Sequence, residues 1–371
     1  MLIAATLRAP FTGVAPMLGM IRDTNGISAA EAGLLTTLPL LAFAAISPFA
    51  PILARRHGME RSLFGALLVI TTGIVVRSTG PLFLGTAILG GGIAVANVLL
   101  PSLLKRDFPD RITSLTGAYA ITSGLAQALA STAAIPLAAL PGSNWHLALA
   151  GTLIFPAMAL MAWLPQLRLS SVPTAENTSA SSAGHIWQSL LAWQVTAYLG
   201  LTSLVFYVVV GWLPAILMEA GYSAAGAGSM HGLLQLATAV PGLVLGPAVR
   251  RMKNQQALAI GVSVLTCLSL LGLWQLPELA PLWVALFGFG AAAAFVLGLA
   301  FVSLRASNSH QAAALSGMAQ SLGYSLAAAG PPLVGLARDA TGGWSAALAI
   351  CAVASLLMAA FGALAGRART I

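Results

Sequence analysis

"FTGVAPMLGMIRDTNGISAAEAG", Phe11 to Gly33, decides how this chain is read, because its frame is written a second time. The second copy is "GWLPAILMEAGYSAAGAG", Gly211 to Gly228. Each has Gly-x-x-Pro, a short polar break, then Ser-Ala-Ala-x-Ala-Gly. Ser28 and Gly33 fall on Ser223 and Gly228 at an offset of 195 residues, as Arg55–Arg56 fall on Arg250–Arg251. At an offset of 200, Leu104–Lys105 fall on Leu304–Arg305, and Leu115–Thr116–Gly117 on Leu315–Ser316–Gly317. One such match is easy in a biased composition, whereas several in register indicate a duplicated unit. The copies are read as residues 1–166 and 189–371, joined by a linker at 167–188 that contains the polar run "LRLSSVPTAENTSASSAGH".

Composition says what is duplicated. Of 371 residues, 58% are hydrophobic and 7% charged, where a soluble domain carries about 25% charged residues to wet its surface. The mean hydropathy is +0.90. So few charges cannot cover a water-facing surface, and the chain is an integral membrane protein in contact with the lipid bilayer. Crossing ~30 Å of hydrocarbon takes about 20 apolar residues. Twelve such runs are found, at 1–20, 31–53, 62–79, 81–104, 112–139, 145–165, 190–217, 224–249, 256–275, 281–304, 312–337 and 344–365. Backbone in lipid must bond internally, and uniformly apolar runs do this as helices rather than as alternating strands. The fold class is therefore all-α, with twelve transmembrane helices as two six-helix halves.

Charge sets the expected orientation. Of the 17 Lys and Arg, 13 fall on alternate joints: Arg55, Arg56, Arg61, Lys105, Arg106, Arg111, Arg168, Arg250, Arg251, Lys253, Arg305, Arg367 and Arg369. Such bias marks the cytoplasmic side, so both termini are expected inside a bacterial inner membrane. The opposite joints hold Asp23, Glu31, Glu219, Glu278 and Asp339. A net charge of +8 is thus a topology signal, and nucleic acid is not expected as a partner, because these bases do not gather on a soluble face. The first apolar run begins at once, without a charged leader or cleavage site, so no signal peptide is expected. Cys267 and Cys351 both lie within apolar runs, where a thiol behaves as a small hydrophobe and implies neither disulfide nor metal.

Two parallel six-helix halves with a polar linker describe the major facilitator architecture, in which a solute binds near the midplane and the halves rock about it. The joint "PILARRHGMER", Pro51 to Arg61, resembles that superfamily's Gly-x-Leu-Ala-Asp-Arg-x-Gly-Arg-Lys motif at Leu53, Ala54, Arg56 and Gly58. It departs from the motif at Pro51, where glycine is usual, and at Arg55, which replaces the acid of the gate. Over nearly its whole length the chain also resembles the cyanate and 2-nitroimidazole transporters, and the nitroimidazole members more than the cyanate ones. The stretches "LRAPFTGVAPML" (7–18), "GLLTTLPLLAFAAISP" (33–48), "NVLLPSLLKRDFP" (97–109), "FYVVVGWLPAIL" (206–217), "GSMHGLLQLATAVPGL" (228–243) and "ALSGMAQSLGYSLAAAGPPLVG" (314–335) carry that resemblance. It implies a monomeric carrier of a small solute and gives Arg55, Arg56 and Gly58 a gating role.

Ionisable groups inside a span are costly and are functional candidates by default. Arg8 in the first span stands out, since a guanidinium offers a planar fork of donors to a nitro group or small anion. The alternative is a side chain that snorkels to the headgroups. Thr12 lies one turn on, on the same face. Further polar stripes at helical spacing are Tyr119, Ser123 and Gln127; His231, Gln235 and Thr238; and Ser316, Gln320 and Tyr324. Tyr207 and Trp212 join them ahead of Pro214. Such stripes suit a cavity wall, and they equally suit polar side chains that hold membrane helices together. Substrate contact is expected from Arg8, Thr12, Tyr119, Tyr207, Trp212, His231, Gln235, Gln320 and Tyr324.

No phosphate-binding loop is written, so ATP hydrolysis is not built in and no cofactor is expected. His231 is read as the group through which any proton coupling must pass, because no carboxylate lies mid-span. Uniport or exchange fits equally well, as does proton-coupled export of other small drugs. An enzyme would need a nucleophile or metal constellation such as HExxH, CxxC or GxSxG, and none occurs. A passive anion channel would call for a filter or charged ring.

Overall fold

The computed structural model describes residues 1–168, 186–252, 254–307 and 309–371. The expected linker therefore lies almost wholly outside the described residues. Among the described residues the secondary structure is helical throughout, with no strand. The first half contributes α1 (Leu2–Thr12), α2 (Leu18–Asn25), α3 (Ala29–Ile46), α4 (Ala50–His57), α5 (Met59–Thr79), α6 (Leu82–Asp107), α7 (Ile112–Ala138), α8 (Trp145–Gly151) and α9 (Ile154–Trp163). The second contributes α10 (Leu190–Glu219), α11 (Ala224–Arg251), α12 (Gln256–Gln275), α13 (Ala280–Arg305), α14 (Ser309–Thr341) and α15 (Ser345–Ala365).

Among the described residues, eleven helical segments are long and apolar enough to span a membrane, and they coincide with eleven of the twelve runs. The remaining run, 312–337, forms α14, a helix of 33 residues. Its Ser316, Gln320, Ser321, Tyr324 and Ser325 keep it below the apolarity of the others. Two spans are broken where one continuous helix would be read. The first span divides between α1 and α2 around Gly13–Val14, and the sixth between α8 and α9 at Thr152–Leu153.

The outward faces are apolar: Leu129 is 61% exposed, Leu190 73% and Leu333 60%. In water such leucines would each forfeit their burial free energy. Against lipid tails they cost nothing, so the chain is a multi-pass membrane protein.

Two compact units are distinguished, and they do not follow the sequence halves completely. The first takes in Met1–Ile27, Leu34 to the end of α9, and Gly221–Gly232; the second takes in Ser28–Gly33, α10, and Leu233 to Ile371. Each copy of the repeated phrase thus has its Ser-Ala-Ala-x-Ala-Gly segment in the unit built mainly from the other half. The first unit packs Leu63, Leu67, Ile70 and Ile74 of α5 against Leu89, Ile93 and Leu99 of α6. The second packs Tyr198 and Leu199 of α10 with Leu297 and Phe301 of α13, Leu315 of α14 and Met358 of α15.

At the ends rich in basic residues the units are fastened differently. In the first, the buried carboxylate of Glu60 accepts from Arg106 at 2.7 Å, and Arg106 also bonds Asp107 at 2.6 Å. Glu60 lies five residues beyond Arg55, where the superfamily motif has its acid, so this end does carry a carboxylate. In the second, Arg305 is 4% exposed and donates to the carbonyls of Ala365 at 2.8 Å and Gly366 at 3.2 Å, and to Gln255. Its charge thus lies on the carbonyl end of α15, where a cation complements the helix dipole.

Candidate functional site

The site grows out of the break in the first span. A helix leaves its last four carbonyls without an internal donor. Here those belong to Ala9, Pro10, Phe11 and Thr12, and Pro16 removes the N–H that would have reached Thr12. The structure supplies donors to three of them. Gly13 N–H reaches Ala9 O at 3.1 Å. Arg77 Nη1 donates to Pro10 O at 2.8 Å. Ser131 Oγ donates to Thr12 O at 3.4 Å. The same α7 face sends Ser123 Oγ to Ala4 O at 3.4 Å.

On the turn leading into this break sit Arg8, half-buried, and Thr12, 1% exposed. The Thr12 hydroxyl donates to Arg8 O at 3.3 Å and Ala9 O at 3.5 Å, so it is committed to its own helix. Tyr119 lies on α7, half-buried against the α5–α6 core. His231 belongs to the same unit and is fully buried, its Nδ1 2.9 Å from Ser131 Oγ. The first unit therefore gathers Thr12 and His231 around a seam between α1 and α7 in which Ser131 is the hub, with Arg8 one turn back on α1. Gln127 Nε2 donates to Ser123 O at 3.1 Å, a bond internal to α7.

In the second unit, Gln235 is 1% exposed, and Tyr207 and Tyr324 are half-buried. Gln320 Nε2 donates to Ser316 Oγ at 2.7 Å along α14. Thr238 donates to Gln235 O at 2.7 Å. Tyr207 meets Phe206 edge-on, with ring centroids 5.3 Å apart. Trp212 is fully buried, donates Nε1–H to Pro331 O at 3.0 Å and packs on Trp344 at 4.8 Å. That bond uses the one donor of Trp212 on a carbonyl beside the Pro331–Pro332 pair.

Of the gating candidates, Gly58 adopts φ 86°, a backbone open to glycine, between α4 and α5. Arg55 and Arg56 are exposed in the last turn of α4, where positive charge complements the helix dipole.

Sequence reading singled out Arg8 as the charge that stands out within the spans. Arg77 is a second, and it is the more deeply placed: 0% exposed, near the end of α5. Besides Pro10 O, it donates Nη2–H to Thr152 Oγ1 at 3.3 Å. Ser131 was also passed over, although it continues the Ser123–Gln127 stripe by one more turn.

Residues 1–328 match the family described as the Major Facilitator Superfamily. The chain is 54% identical to the 2-nitroimidazole transporter of Escherichia coli (strain K12), over 100% of this chain and 95% of that protein. It is 29% identical to the cyanate transport protein CynX of the same organism, over 92% and 90%. Its backbone is similar to the crystal structure of the nucleoside transporter NupG, with a TM-score of 0.78 over 98% of each chain at 16% identity, which is a likeness of fold alone.

Proposed function

The chain belongs to the Major Facilitator Superfamily, and from that premise we propose that this membrane transporter carries a small anionic or nitro-bearing solute of the cyanate or 2-nitroimidazole type. Transport runs by alternating access of two six-helix halves, 1–166 and 189–371. The reading excludes enzymatic chemistry. The protein acts as a monomer in a bacterial inner membrane, with both termini cytoplasmic, in keeping with the positive-inside bias.

Arg8 is the observation that carries this reading. Its guanidinium is half-buried on the turn before the break in the first span. Broken helices mark solute sites in transporters of several folds. A planar fork of donors fits two oxygens of a nitro group or the end of a small anion. Further solute contacts are assigned to Tyr119 and His231 in the first unit and to Tyr207, Gln235, Gln320 and Tyr324 in the second, and Thr12 and Trp212 support their own units through bonds to backbone carbonyls.

His231 is the proton-bearing group where transport is coupled. The Ser131 hydroxyl has one hydrogen, and with that hydrogen on Thr12 O the imidazole donates from Nδ1 to Ser131 Oγ. Replacing His231 with Gln then removes the pH dependence of transport and leaves binding measurable.

The deciding experiment compares binding of 2-nitroimidazole, cyanate and other small anions to purified protein. Arg8→Ala is expected to weaken binding by more than tenfold, the loss of one charge-assisted bond of about 1.5–3 kcal/mol. Arg8→Lys keeps the charge without the fork and falls between. Near-parental affinity in the alanine variant overturns the reading.

A further inference from the structure

We infer that Arg77 is a positioning residue for solute: it holds the broken end of α1 so that Arg8 faces its ligand in one fixed geometry. This rests on the reading of Arg8 given above.

Four observations converge on Arg77. It is completely buried, although a guanidinium in a membrane protein usually snorkels or meets a carboxylate. No carboxylate bonds it among the described residues; its acceptors are Pro10 O and Thr152 Oγ1. Thr152 Oγ1 in turn donates to Leu149 O at 2.7 Å, so the threonine is fixed by the last turn of α8. The Pro10 carbonyl belongs to the turn that carries Arg8 and Thr12, and it lies among the carbonyls left without a helical donor.

The physical sense is in the sign of the charge. The carbonyl end of a helix carries about half a negative charge, which is strongest where water is excluded. Arg77 supplies positive charge and directed donors at that point, and α8 anchors its other side. With Ser131 on Thr12 O, two side chains from two helices fix the break. Between them they set the direction in which α1 ends and, with it, the side chain of Arg8 one turn back. Lysine could neutralise the dipole but could not bridge Pro10 O and Thr152 Oγ1 as a planar fork does.

The test measures two things in Arg77→Lys and in the milder Thr152→Val, both compared with parent at equal amounts of folded protein. The first is hydrogen exchange of the backbone amides in 11–17. The second is KM and maximal rate for 2-nitroimidazole in proteoliposomes. Exchange in 11–17 should quicken about tenfold in Arg77→Lys, with α5 and α6 unchanged. KM should rise about tenfold and maximal rate change less than twofold, as for one lost charge-assisted bond. Thr152→Val should move both in the same direction and by less. Unchanged exchange in 11–17, or an increase spread over the whole of α5 and α6, overturns the role of Arg77. Local loosening with an unchanged KM overturns instead the reading that the Arg8 segment binds the solute, and the positioning role falls with it.

Discussion

The two copies of Ser-Ala-Ala-x-Ala-Gly share a frame and differ in how they are closed. Both open with a serine cap: Ser28 Oγ accepts from Glu31 N–H at 3.2 Å, and Ser223 Oγ accepts from Gly226 N–H at 3.1 Å. In the first copy Glu31 completes the reciprocal capping box, accepting from Ser28 N–H at 2.8 Å. The second has Gly226 at that place and closes half the box.

Both copies end on a glycine pressed against a neighbouring helix. A Cβ on Gly33 would lie 2.5 Å from Pro331 O of α14, and one on Gly228 would lie 3.1 Å from Ser131 O of α7. The side-chain chemistry then diverges. Asp339 accepts from Ala29 and Ala30 N–H at 3.4 and 3.3 Å, whereas the second copy presents a buried imidazole, His231, to Ser131. Duplication has kept the turn and the close approach. The polar closure was free to become an exposed carboxylate at one site and a buried titratable ring at the other.

Substitutions can break this comparison, and their effects should follow the tightness of each contact. Gly33→Ala should have the largest effect, about 3 kcal/mol of lost stability, because the added Cβ meets unyielding backbone. Gly228→Ala should cost about 1 kcal/mol, since the neighbour needs to yield by tenths of an ångström and alanine regains helix propensity. Thermal unfolding of the two purified variants checks the order, and equal losses would dissolve the distinction. Ser131→Ala should cost about 2 kcal/mol, by leaving the Thr12 carbonyl and His231 Nδ1 without their shared partner. The effect should shrink in a His231→Leu background, which a double-mutant cycle would register. Asp339→Asn should cost about 0.5 kcal/mol, as these long bonds at a helix start are partly exposed. Glu31→Ala should be smallest, visible only as faster amide exchange at Ser28–Ala30.

Much of the architecture was legible because membrane helices announce themselves. A run of 20 apolar residues has one stable form in lipid, and the phrase at 28–33 and 223–228 exposed the duplication. The breaks were less legible. Pro10, Gly13 and Pro16 stand in plain view, but apolarity continues through them, so residues 1–20 read as one span. Arg77 escaped notice for a related reason: at the edge of the run 62–79 it resembles a charge at a helix end. Only the folded chain shows it turned inward onto Pro10.

The polar stripes were the hardest to assign. Helical spacing puts Thr12, Gln127 and Gln320 on faces, but it cannot say that Thr12 donates to Arg8 O or that Gln320 donates to Ser316. The ring of Trp212 likewise gives no sequence sign that its N–H will serve the Pro331 carbonyl. A carbonyl without a helical donor is a property of the backbone path. Such acceptors, at Pro10 and Thr12, decided which side chains were drawn into the frame.

The buried guanidinium at the end of α1 has a consequence for the ionic environment. In transporters with broken helices, dissolved cations often coordinate the carbonyl end of a half-helix. Such an ion obeys mass action, and its occupancy falls as its concentration falls. Arg77 is a cation tied to the chain by covalent bonds, with its donor already on Pro10 O at 2.8 Å. Its effective concentration at that carbonyl does not depend on the medium. The end of α1 therefore keeps its neutralising charge in sodium, in potassium or in dilute buffer alike.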